Sequence, residues 1–179
     1  MSTALRAIRM AEAATIGDNW RTPRVVLDRV DAFCQWAGDD GIALDPCSGP
    51  GSLVSARVEM SLERGHDGLM NPWAMLVECG VAFVNPPYSK PAPWVEQAAA
   101  FGAQPLRHAI VLVNAMTSDG WWPDPWAPAV CFWRGRIRFG MPGGEAAYAS
   151  TRPSALLYFG ASPELFETAF KSCGKVVRS

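Results

Sequence analysis

A chain of 179 residues with 49% hydrophobic side chains can bury one substantial core, and a single domain over 1–179 is expected, with 1–17 as a flexible N-terminal segment. The formal net charge of −1 gives no overall attraction for nucleic acid, so any such binding must come from a local patch. No stretch is apolar for long enough to span a bilayer, and five cysteines, odd in number and without a C-x-x-C pair, argue for reduced thiols in a cytoplasmic protein rather than disulfides or zinc.

Taken in chain order, Thr22 and Pro23 supply an N-cap and a first helical residue. Val26, Val30 and Phe33 then recur at helical spacing, which predicts a helix over 23–37. GIALDPCSGPGSL reads as a short buried strand, 42–44, stopping at Asp45 in a Gly/Pro-rich turn, and 56–60 is a candidate second strand. A tryptophan- and proline-rich stretch leads to an apolar strand, 81–84, then a helix over 93–101 and a strand ending near Ala115. This alternation predicts an α/β fold with a mostly parallel sheet covered by helices on both faces. Further on, AVCFWRGRIRF and SALLYF lack a crossover helix between them and are expected to pair as an antiparallel hairpin, followed by a helix begun by Ser162 and Pro163.

In open α/β sheets ligands bind outside the carboxyl ends of the strands, which singles out D-P-C-S-G-P-G (45–51) and N-P-P-Y (85–88). The first sets the Asp45 carboxylate against glycines that allow close backbone approach, an arrangement suited to a ligand with a cationic amine and little phosphate. No P-loop or dinucleotide-binding glycine pattern is present. In the second, Pro86 and Pro87 fix two successive φ angles and contribute no N–H, so the corner presents acceptors without competing donors. The Asn85 side-chain oxygen and the Pro86 carbonyl suit one –NH2 group, and Tyr88 suits the flat ring bearing it.

These two motifs resemble motifs I and IV of amino-group methyltransferases that use S-adenosylmethionine. The full order, W-R-T-P (20–23), L-D-P-C (44–47), D-G-L (67–69), V-N-P-P-Y-S (84–89), P-W-V-E (93–96) and R-G-R-I-R-F (134–139), resembles the bacteriophage DNA N-6-adenine methyltransferase family. That resemblance implies a Rossmann-like class I methyltransferase fold and methyl transfer to N6 of adenine in DNA. Asp45, Cys47, Gly49 and Gly51 would line the methionine end of the cofactor, with Asp45 near its ammonium. Asp67 would stand beside the cofactor adenine, and Trp20, Thr22 and Pro23 would close over it. Glu59 and Glu63 are both candidates for the ribose-binding carboxylate.

Such a transfer is an in-line displacement in which orientation is worth roughly 7 kcal/mol or more in favourable cases, and it needs neither a metal nor a strong base. The target base must leave the helical stack. By their period of two, Arg134, Arg136 and Arg138 are expected on one face of a strand for phosphate contact, with one of the loop tryptophans Trp121, Trp122 and Trp126, Trp122 first among them, beside a flipped base. No segment is left for a large target-recognition module, so the expected sequence preference is short or relaxed. A protein glutamine-amide methyltransferase, which shares the N-P-P-Y box, and a cofactor-binding relative without turnover are the alternatives.

Overall fold

The computed structural model describes residues 20–123, 126–140 and 148–179; the segment 1–17 lies outside them. Helix α1 (Arg24–Ala37) turns Val26, Leu27, Val30, Phe33 and Cys34 inward. It ends at Gly38, whose left-handed φ of 84° lets its N–H reach the Cys34 and Gln35 carbonyls. Pro23, not Thr22, is the N-cap, and no side chain caps the helix, because the proline ring carries no acceptor; Thr22 is buried one residue before it.

Strands β1 (Ile42–Asp45), β2 (Ala56–Glu59), β3 (Gly80–Val84) and β4 (Arg107–Asn114) run parallel to one another. β5 (Ala129–Trp133), β8 (Ser154–Phe159) and β9 (Gly174–Arg178) complete a seven-stranded sheet of order β2-β1-β3-β4-β8-β5-β9, while β6 (Arg138–Phe139) and β7 (Tyr148–Ala149) form a separate ribbon. Helix α2 (Ala92–Gly102) connects β3 to β4, and α3 (Pro163–Phe170) connects β8 to β9. The fold is therefore α/β with a mixed sheet.

Alternation along the strands divides the core in two. Val81, Phe83, Ile110, Leu112, Leu156 and Tyr158 meet α1 and α3 on one face. Ala82, Val84, Val111, Val113, Leu157 and Phe159 meet α2 and Trp73 on the other. Phe166 of α3 is fully buried, with its ring 5.0 Å from Tyr158 and 4.6 Å from Phe170. Replacing it by alanine is expected to cost about 3–5 kcal/mol, read from the midpoint of denaturant unfolding.

The structure corrects three expectations. The sheet is mixed, with three parallel and three antiparallel pairings: β1 to β5 share one direction, and β8 and β9, which flank β5, run against it. Among the parallel strands only β3 and β4 are linked by an α-helix, since the Gly/Pro-rich chain after β1 and the 3-10 turn Trp73–Met75 before β3 take the place of the other crossover helices. β5 and β8 are antiparallel neighbours, yet not a simple hairpin. The expected strand over 129–139 breaks after Trp133, where Gly135 takes a φ of 78°, and Arg138 and Phe139 belong to the separate ribbon.

Strand order also positions the site. From β1 the chain goes to β2 on one side, and β3 then pairs on the other side of β1. The loops leaving β1 and β3 diverge there, which opens a crevice beyond their carboxyl ends.

Candidate active site

Asp45 is the last residue of β1 and only 3% exposed. Its Oδ1 accepts the Cys47 backbone N–H at 3.1 Å, which folds the chain sharply after the strand. Burial pushes its carboxyl up to about 7; the bond from Cys47 works against this shift and the charge of Glu59 adds to it.

One strand over, the Asn85-Pro86-Pro87 corner leaves β3. Cys47 Sγ donates to the Asn85 backbone carbonyl at 3.1 Å and so ties the two turns together. Burial holds this thiol well above its usual range, in the protonated form that such a bond requires. The Asn85 side chain donates from Nδ2 to the Trp20 carbonyl at 2.8 Å, which settles the orientation of the amide. Its Oδ1 is buried and has no hydrogen-bond partner among the described residues. Such an atom costs about 1–3 kcal/mol unless something accepted by the site completes it.

The segment Trp20–Thr22 lies across the crevice as a strap. Arg21 exchanges backbone hydrogen bonds with Gly140, N to O at 3.0 Å and the reverse at 3.2 Å. The Arg21 Nε donates to the Pro50 carbonyl at 3.2 Å, and its guanidinium occupies the space that a side chain at Gly51 would need. The Phe139 ring lies 5.1 Å from Trp20 and 6.0 Å from Tyr88. The end of the R-G-R-I-R-F run thus holds the strap and the tyrosine in place.

Together these elements enclose a cleft of about 230 Å³, lined by the strap, by residues 45–50, by Asn85 and Pro87, and by Met60, Glu63 and His66 from the loop after β2. A family model described as DNA N-6-adenine-methyltransferase (Dam) matches residues 11–163. The chain belongs to this adenine methyltransferase family. A search of curated proteins returned no match.

In this methyltransferase the cleft brings together Trp20, Thr22, Asp45, Cys47, Gly49 and Asn85. Pro23 and Gly51 stand outside its lining, and Pro86 is buried behind the corner. Asp67 is also outside: its Oδ1 accepts the Leu69 N–H at 3.0 Å, and its neighbour Gly68 faces the cleft instead. Of the two glutamates, Glu63 lines the cleft, whereas Glu59 lies 3.6 Å from Arg64 and does not. Tyr88 packs against the core on the α1 side, with its hydroxyl buried and its ionisation pushed up by burial.

Arg134, Arg136 and Arg138 are exposed, but the break after β5 removes the single strand face expected of them. Trp122 is 8% exposed and stacked on Phe132 at 6.1 Å, so the structure does not bring it to the surface. Sequence reasoning missed Arg21 and Gly68. Gly68 packs directly on the Pro46 carbonyl, where a Cβ would overlap it, while its own carbonyl accepts the Trp73 indole N–H at 2.8 Å. Gly68→Ala is expected to displace the turn after Asp45 and to cost about 1–3 kcal/mol, measured by thermal unfolding.

Among the described residues, no helix is long and apolar enough to cross a membrane, and no group of three or more His, Cys, Asp or Glu could hold a metal ion.

Proposed function

We propose that this protein, acting as one class I methyltransferase domain over 1–179, transfers a methyl group from S-adenosylmethionine to N6 of adenine in DNA with short or relaxed sequence preference. One observation carries the reading. The corner after β3 holds a buried amide oxygen, Asn85 Oδ1, that has an enforced direction and no partner among the described residues. An exocyclic amine has the N–H donors to complete it.

The cleft also fits the cofactor. Asp45 is a buried acid raised by desolvation, and an α-ammonium would supply the counter-charge that favours its ionised form. Gly49 exposes backbone at the tip of the first turn, and Glu63 offers a carboxylate to a ribose diol at the rim. S-adenosylmethionine, when bound, supplies an activated methyl group.

The chain's own contribution is orientation. Asn85 Oδ1 and the Pro86 carbonyl accept the two amine hydrogens, which turns the nitrogen lone pair toward the cleft. The paired prolines keep these acceptors from moving, and Cys47 anchors the corner to β1. Tyr88 takes the flat face of the adenine. The exposed Arg134, Arg136 and Arg138 serve phosphates of flanking DNA.

Incubation with S-adenosylmethionine and unmethylated DNA, single- and double-stranded, followed by digestion and mass spectrometry, is expected to show N6-methyladenine. Cofactor binding with no methylated adenine in either substrate overturns the reading.

A further inference from the structure

Where the first cleft ends a second begins. Asn85 and Pro87 line the first, and the next residue, Tyr88, lines a depression of about 510 Å³ between the turn after β3 and the loops around the end of β4. Its wall holds two exposed cations, Lys90 and Arg152, together with Asn114, Trp121 and Asp119. The single acid among these accepts the Trp121 indole N–H through Oδ2 at 3.1 Å, which fixes the half-buried indole at the cleft. Arg152 Nη1 rests 3.2 Å from Met116 Sδ. A thioether is a weak acceptor, so this contact positions the guanidinium while leaving its donor fork for a stronger one.

Two of the residues that carry a buried, unpartnered polar atom border the clefts. Three buried side-chain atoms have no partner among the described residues: Asn85 Oδ1, the Tyr88 hydroxyl and Ser154 Oγ. Asn85 and Tyr88 border the two clefts, and Ser154 is the cross-strand partner of Asn114, which lines the second. Cations at an opening, an aromatic face on a loop and polar groups behind them form the chemistry that receives a single strand of nucleic acid.

We propose that this second cleft seats the DNA strand carrying the target base, with Lys90 and Arg152 on its phosphates and Trp121 against a neighbouring base. The inference rests on the methyltransferase reading and names the surface through which that site meets its substrate. It makes Lys90 and Arg152 substrate contacts in addition to the arginine run at 134–138.

The test measures binding of a fluorescent single-stranded oligonucleotide across salt concentrations. It compares the wild type, the pair Lys90→Ala/Arg152→Ala, and a charge-matched pair, Arg29→Ala/Lys171→Ala, from exposed positions outside both clefts. The cleft pair is expected to bind about 10- to 100-fold more weakly, with a salt slope shallower by about 1.4, the sum for two single-strand phosphates. Its affinity for S-adenosylmethionine is expected to match wild type, which certifies the fold. Trp121→Ala is expected to weaken binding about tenfold without changing the slope. If the wild type binds DNA and the cleft pair keeps its affinity and slope, the cleft assignment is overturned while the methyltransferase reading stands. A wild type that binds no DNA and methylates a protein amide instead overturns both.

Discussion

Replacing Asn85 by alanine is expected to lower the rate of adenine methylation by about 10²- to 10³-fold, the scale on which removal of one preorganised hydrogen-bonding group acts in other active sites. The affinity for S-adenosylmethionine should change far less, because the groups proposed to hold it sit on the turn after β1 and on the loop after β2. The discriminating measurement pairs single-turnover methylation with cofactor binding by calorimetry. An Asn85→Ala protein that methylates at wild-type rate would show that the buried amide oxygen does not grip the amine. Asn85→Gln gives a second check: it keeps the amide but moves it by one methylene, and loss of the rate there ties the effect to geometry and not to polarity.

The second large effect concerns Asp45, where stability and function oppose each other. In the folded protein burial raises its carboxyl to about 7, against about 3.9 in an unfolded chain. The native state therefore binds this proton more tightly, so the contribution of Asp45 to stability is fully present below about 4 and is lost as pH rises to about 7. Asp45→Asn keeps an oxygen for the Cys47 N–H and carries no charge. Its melting temperature should exceed that of wild type at pH 8, and the difference should vanish near pH 4. Cofactor affinity should move in the reverse direction, weakening by about 10- to 100-fold through loss of a buried charge pair. If the ionised carboxylate is what binds, wild-type affinity should fall about tenfold per pH unit below about 7, and the variant should lose that dependence. A variant destabilised at pH 8, or one binding the cofactor as tightly as wild type, would refute this role.

Both residues were legible in the sequence because each stands at a strand tip where apolar pattern gives way to proline and glycine, and such chemistry is local. α1 was legible for the same reason, since Val26, Val30 and Phe33 mark its buried face at helical spacing. What escaped depends on partners far along the chain. β9 is a five-residue edge strand whose charges hide its pattern, with Arg178 reaching Glu164 at 2.6 Å and Glu167 at 3.2 Å. Arg21 matters because of Pro50 and Gly140, and Gly68 because of Pro46, and no spacing rule connects those positions. The tryptophans show the limit most clearly: Trp122 is buried and Trp126 is 47% exposed, although both lie in the same aromatic loop. The arginine run was misread as one strand because alternation continues past Trp133 in the sequence, while the backbone turns at Gly135.

The bond from Asn85 Nδ2 to the Trp20 carbonyl has a consequence for the aim of the amide. An amide has one plane, so fixing its nitrogen end fixes where its oxygen end is aimed. The Trp20 carbonyl thus sets the direction in which the buried Asn85 oxygen faces. If Asn85 receives the target amine as proposed, that contact is aimed by Trp20 on the N-terminal strap as well as by the proline corner.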